Sequence, residues 1–330
     1  EASVLNALAC GYRLIDTANA YVNEKAVGRA MKKSGVSREE IFLETKLWPA
    51  FYEQSDAVEK TLERLDTDYI DLLLIHQPAG NYIAGYKLME KAYKEGKVKA
   101  IGLSNFSQSQ IREILDICEV KPVVLQTEVH PYYQEKKLKD YLKKEGIVIQ
   151  AWYPLGHGDK ALLEEPLFQE LGKKYGKSSA QIILRWHIQA GNIVIPGSKS
   201  PAHIQDNFDL FDFSLTAWEM AQISIMDKNV RYYTSTPELL EKKIPVIFYY
   251  GDYIGEEFTD VPAAAMWGFM ASTADTFTTS YTAAGGISTV VHLPDEGITG
   301  NDHFMFQDMN NDVIAEHIEN WIQANVMSAE

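Results

Sequence analysis

The stretch LIDTANAYVNE, residues 14–24, decides between two ways of arranging the rest of the chain. It follows an opening, EASVLNALACGYRL, in which Val4, Leu5, Leu8 and Ala9 recur at helical intervals. It also completes a short apolar run at 12–16 (YRLID) of the kind that forms a buried parallel strand. Six more such runs follow, at 41–45 (IFLET), 70–75 (IDLLLI), 98–102 (VKAIG), 122–126 (PVVLQ), 147–151 (IVIQA) and 192–196 (NIVIP). Amphipathic stretches such as 53–65 and 108–118 lie between them, and further helices are expected near 161–175 and 178–190. Strand-helix alternation means parallel pairing with helices outside. An open doubly wound sheet and a closed (β/α)8 barrel both satisfy it. The open sheet usually carries a Gly-rich loop after its first strand, and LIDTANAYVNE contains no GxGxxG. The expected fold class is therefore α/β, a (β/α)8 TIM-type barrel with its first strand missing from the visible runs.

Composition narrows the function classes. With 330 residues, 46% of them hydrophobic, the chain can fill a real core. A formal net charge of -15 argues against a nucleic-acid or acidic-membrane partner, both of which need concentrated Lys and Arg. Cys10 and Cys118 form neither a disulfide framework nor a metal-binding spacing, so no metal and a reducing cytoplasm are expected. No apolar run approaches the roughly 18 to 20 residues that span a bilayer, and no membrane partner is expected. The chain opens without Met, in the middle of a pattern.

In a barrel of this kind chemistry gathers at the carboxyl ends of the strands. The residues there are Asp16 and Tyr21, Lys46 and Trp48, His76, Ser104 and Asn105, Gln126, Trp152, then Ser198 and Lys199. Each has a plainer reading: Asp16 as a helix cap, Tyr21 as a surface ring, His76 as a satisfied histidine before Pro78. Lys46 is harder to dismiss, because an ammonium directly after an apolar run needs an anionic partner if it points inward. Asp16 is the natural candidate. One shared site accounts for all four residues together.

Residues 1–240 resemble an aldo-keto reductase, on the motifs GYRLIDTANAYVNE, TKLW, LLIHQP, GLSNF, LQTEVHPY, AWYPLGHG and IPGSKSPAHIQDN in that order. The resemblance implies reduction of small aldehydes or ketones with NADPH, NADH being possible, by a tetrad of Asp16, Tyr21, Lys46 and His76. Tyr21 would be the acid, Lys46 would stabilise its phenolate and be held by Asp16, and His76 would orient the carbonyl oxygen. It further implies that Ser104, Asn105 and Gln126 bind the carboxamide and that Trp152, where the family usually has Tyr, stacks on the nicotinamide. Leu155 and Gly156 would lie near the pyrophosphate, Ser198, Lys199, His203 and Asn207 at the adenosine end, and Trp48 in the substrate pocket. Gly197 and His203 replace the family's usual Lys and Arg, which leaves Lys199 to reach a 2′-phosphate. The family's opening hairpin and first strand have no counterpart in these residues, which predicts an incomplete barrel with two strand edges.

Residues 241–330 read differently. KKIPVIFYYGD (242–252), STVVHLPDEG (288–297) and a closing amphipathic stretch with Ile314, Ile318, Trp321 and Ile322 resemble the C-terminal part of an α/β-hydrolase. That resemblance would make Asp252 the acid and His303 the base. The nucleophile elbow GxSxG that such a triad requires is absent from the sequence, so a serine hydrolase remnant or a catalytically inactive chimera is the alternative to reductase activity. The run 244–250 is a further candidate, as a substitute strand in the slot beside 12–16.

Overall fold

Each of the seven apolar runs forms a strand: β1 (Leu14–Asp16), β2 (Phe42–Leu47), β3 (Leu72–Ile75), β4 (Ile101–Ser104), β5 (Val124–Glu128), β6 (Val148–Trp152) and β7 (Ile193–Val194). The computed structural model describes residues 1–233 throughout and, beyond them, 246–250, 274–275, 278–279, 288–296, 316 and 318–322. The chain divides into two compact units, Glu1–Leu240 and Glu241–Glu330.

In the first unit the seven strands form one parallel sheet in chain order, with Leu14 opposite Phe42 and Asp16 opposite Glu44 at its start. Helix α1 (Ala2–Cys10) precedes β1; α2 (Glu24–Lys33), α3 (Ala57–Leu65), α4 (Tyr82–Lys94), α5 (Gln108–Ile117), α6 (Lys136–Glu145), α7 (Lys160–Leu163), α8 (Pro166–Tyr175) and α9 (Ser179–Gln189) lie between consecutive strands; and α10 (Pro201–Phe208) and α11 (Ala217–Ser224) follow β7. Strands covered on both faces must be apolar throughout, and all four residues of β3 are buried. Capping boxes start α5 (Ser107 with Gln110), α9 (Ser178 with Gln181) and α11 (Thr216 with Glu219), satisfying amides the helices cannot bond themselves.

The sheet curls. Gln126 on β5 donates to Asp16 at the end of β1 at 3.0 Å, and Gln150 on β6 donates to Glu44 on β2 at 2.9 Å. Strands four places apart in a flat sheet stand nearly 20 Å apart at about 4.8 Å per strand, so these bonds require the sheet to roll toward closure. Although β1 and β7 do not pair, the helical layer meets across the gap. Tyr12 packs its ring on Phe208 of α10 at 4.8 Å, and Gly11, at φ 115°, lets the chain turn where a Cβ would lie 2.9 Å from the same phenyl ring.

In the second unit β8 (Val246–Tyr250) pairs in parallel with β9 (Ser288–His292) over five residues, in a two-stranded sheet of its own. The notion that 244–250 substitutes for a barrel strand beside 12–16 is therefore wrong: its ladder is taken by β9, and Ile247 packs with Val291, Leu293 and Ile318. Asp252 and His303 lie outside the described residues. Among the described residues no helix is long and apolar enough to cross a membrane.

Candidate active site

Alternation along β2 sends Glu44 and Lys46 to the same side, into the interior. Lys46 is fully buried, with Nζ 2.5 Å from Asp16 Oδ1 and donating to the Thr17 carbonyl at 2.9 Å. The β1–α2 connection turns through a short 3₁₀ segment, Asn19–Tyr21, that sets the Tyr21 ring 5.0 Å from Lys46 Nζ. His76 follows β3, edge-on to Tyr21 at 5.7 Å and to Trp48 at 5.0 Å. Its Nδ1 is buried and has no hydrogen-bond partner among the described residues.

These neighbours set the protonation states. Burial pulls the Lys46 ammonium down, but its anionic surroundings, Asp16 foremost, outweigh it and hold the pKa above the ordinary 10.5. Burial also lifts the Tyr21 phenol above 10, and Lys46 pulls the other way. Tyr21 therefore keeps its proton at neutral pH even though 48% of its surface is open to the cleft mouth. Burial, with Lys46 adding to it, brings His76 down to about 3, so the imidazole is neutral.

The opposite wall is built from β4, β5 and β6. Asn105, in the left-handed region at φ 66°, donates to the His76 carbonyl and to Ser104 Oγ, both at 3.2 Å. Its Oδ1 accepts from Trp152 Nε1 at 3.0 Å. The side chain of Asn105 thus binds three strand ends to each other. The Gln126 amide nitrogen points inward to Asp16, Glu44 and Gln150, which leaves its carbonyl oxygen as the group able to face a ligand. Leu155 lines the cleft, and the neighbouring Gly156, at φ 63°, sits where a Cβ would be 2.7 Å from Leu162. Ser198, Lys199, His203 and Asn207 do not line the same cleft. They follow β7, with Lys199 and His203 exposed and Asn207 buried on α10.

The cleft has a volume of about 800 Å³, the size of a ligand or cofactor site. It gathers Asp16, Tyr21, Trp48, His76, Ser104 and Gln126 with the indole of Trp152. A flat aromatic face and amide-binding oxygens suit the nicotinamide half of a dinucleotide. The exposed ammonium of Lys199 suits a phosphate.

Other functional residues had no motif to mark them. Glu44 and Gln150 join the interior beneath Lys46. Buried Glu128 accepts from the backbone N–H groups of Tyr232 at 2.7 Å and Tyr233 at 3.0 Å, which sets the Tyr233 ring on the cleft wall against Trp152 at 5.3 Å. Burial works against the charge of Glu128, but its bonds to His130 and to those two amides leave the pKa below the ordinary range.

Residues 1–228 match the Aldo/keto reductase family. This chain belongs to that family. The glyoxal reductase of Bacillus subtilis is 44% identical over 242 residues, which cover 72% of this chain and 87% of that protein. The methylglyoxal reductase DkgA of Escherichia coli is 40% identical over 233 residues, 69% of this chain and 85% of its own. Among solved structures, an aldo-keto reductase from a Medee basin deep-sea metagenome library superposes with a TM-score of 0.69 at 42% identity, covering 70% of this chain and 88% of that one. The aldo/keto reductase unit is accordingly an oxidoreductase acting on small carbonyl compounds with NADPH.

Proposed function

We propose that Tyr21, Lys46, Asp16 and His76 form the catalytic group of this aldo/keto reductase, and that small aldehydes and α-dicarbonyl compounds of the glyoxal and methylglyoxal type are its substrates. The observation that carries the reading is the fully buried Lys46 ammonium, paired with Asp16 and set against the Tyr21 ring. Bound NADPH would supply the hydride for the carbonyl carbon. Tyr21 gives its proton to the carbonyl oxygen as negative charge builds there, and Lys46 stabilises the phenolate left behind. Neutral His76 donates an N–H to the same oxygen and orients it. Trp152 offers its face to the nicotinamide, Ser104, Asn105 and Gln126 hold the carboxamide, and Trp48 and Tyr233 wall the substrate end. Leu155 and Gly156 flank the pyrophosphate, while Ser198, Lys199, His203 and Asn207 hold the adenosine end, Lys199 pairing with the 2′-phosphate.

The deciding experiment is Tyr21→Phe. Carbonyl reduction falls by roughly 10²- to 10⁴-fold while NADPH still binds; an unchanged rate would remove Tyr21 from the acid role.

Residues 241–330 support a second architectural reading, as a C-terminal piece of an α/β-hydrolase. The parallel β8–β9 pair and the bond from Trp321 Nε1 to Thr289 Oγ1 at 2.9 Å favour it. No acyl-transfer role follows, because the sequence lacks the nucleophile elbow.

A further inference from the structure

Beneath the cleft, two carboxyl groups face one cation. Glu44 is fully buried on β2, two residues before Lys46 and opposite Asp16 in the β1–β2 ladder. Its Oε2 accepts from Gln150 Nε2 at 2.9 Å and its Oε1 from Gln126 Nε2 at 3.3 Å. The same Gln126 nitrogen serves Asp16 at 3.0 Å and Gln150 Oε1 at 2.8 Å. Asp16 Oδ1 accepts from Lys46 as well, so the carboxylate of Asp16 is paired with a cation while Glu44 has amide partners alone. The charge of the cluster is therefore unbalanced, with two carboxyl groups and one ammonium that pairs with Asp16. A second bare carboxylate shut away from water would have nothing to neutralise it. One proton on Glu44 removes that imbalance.

We propose that Glu44 is a positioning residue of this site, a carboxylic acid that remains protonated at neutral pH and hydrogen-bonds Asp16, holding Asp16 where it anchors Lys46. The inference rests on the catalytic group proposed above; Glu44 stands outside that group and acts on it through Asp16 without touching substrate. Burial, reinforced by the charge of Asp16 and a hydrogen bond with it, raises the Glu44 pKa well above 4.5, in agreement with the charge imbalance. The titratable groups around it are Asp16 from β1, Lys46 on its own strand, and Tyr21 beyond them. Gln126 and Gln150 face it from β5 and β6, and its ladder neighbour on β3 is Leu72.

The test compares Glu44→Gln with Glu44→Leu in the full chain, using methylglyoxal and NADPH. Glu44→Gln replaces one neutral hydrogen-bonding group by another, so kcat at neutral pH stays within about twofold. Its alkaline loss of rate begins at lower pH, because no negative charge can then form at position 44 to oppose ionisation of Tyr21. Glu44→Leu removes the bond and lowers kcat roughly tenfold with little change in KM. An infrared spectrum of the cofactor-free protein at neutral pH shows the carbonyl stretch of a buried protonated carboxyl, which Glu44→Gln removes and Tyr21→Phe retains. If the band is missing from the parent protein, or if Glu44→Gln loses rate as fully as Glu44→Leu, the proposal fails. The band requires no turnover, so failure of the Tyr21 reading would leave it in place, and the two outcomes stay distinct.

Discussion

The indole N–H of Trp152 donates to Asn105 Oδ1 at 3.0 Å, and the amide of Asn105 donates in turn to the carbonyl of His76. The ring proposed to carry the nicotinamide is therefore fixed by the same side chain that fixes the strand end bearing the histidine. Trp152→Phe keeps a flat apolar face and loses this one bond, worth about 1 kcal/mol. NADPH affinity should fall roughly fivefold in a fluorescence titration, and kcat should change less than Kd.

The Asp16–Lys46 pair predicts a stability pattern distinct from its activity pattern. Asp16→Asn leaves Lys46 buried without its counter-charge and should cost about 3 kcal/mol or more in denaturant unfolding. The double variant Asp16→Asn/Lys46→Met removes the stranded ammonium and should recover a large part of that loss. Neither variant should reduce carbonyls at a useful rate. A double variant less stable than Asp16→Asn alone would contradict the role given to the pair.

Two histidines make the fold sensitive to acid. Burial holds His76 and His187 to about 3 against an ordinary 6.5. Below 6.5 the unfolded chain takes up protons that the native state refuses, so this stability is complete above 6.5 and is lost as pH falls toward 3. Each histidine contributes a slope of about 1.4 kcal/mol per pH unit within that window. His187 is held as the neutral form between the Pro154 carbonyl and the Asn192 amide, at 3.1 and 3.2 Å. His187→Gln should remove about half of the histidine part of the slope, measured by urea unfolding at several pH values. Catalysis should show no acidic limb from His76 near pH 6.

Glu128 predicts an effect confined to the substrate end. In Glu128→Gln one carboxylate oxygen becomes an N–H donor facing the amide of Tyr232 or of Tyr233, each of which bonds a different oxygen. Hydrogen exchange at those amides should quicken, and KM for the carbonyl substrate should rise roughly fivefold or more with kcat nearly constant. Equal loss in kcat would place Glu128 nearer the chemistry than its position on the wall suggests.

The seven strands were legible because each contains a short, mainly apolar run, even β7, whose ladder is only Ile193–Val194. Asp16, Tyr21, Lys46 and His76 could be singled out as candidates because they stand at or beyond the ends of such runs, where polar groups stand out against apolar neighbours. Glu44 was missed for the opposite reason. It lies inside IFLET, where period-2 alternation puts it on the Lys46 side, and only the cross-sheet bonds to Gln126 and Gln150 show what it meets there. Glu128 and Tyr233 are 105 residues apart, and nothing local in either segment announces the bond between them. The reading of 244–250 as a barrel strand erred because an apolar run states that it will pair and leaves its partner unnamed.

The Glu128 clamp grips main-chain N–H groups, which every residue except proline provides. Attachment of the cleft wall is thus independent of the side chains it displays. Position 233 can exchange one ring for another while the peptide stays moored, so the preference for one carbonyl compound over another can drift by substitution at the wall without any remodelling of the barrel that holds it.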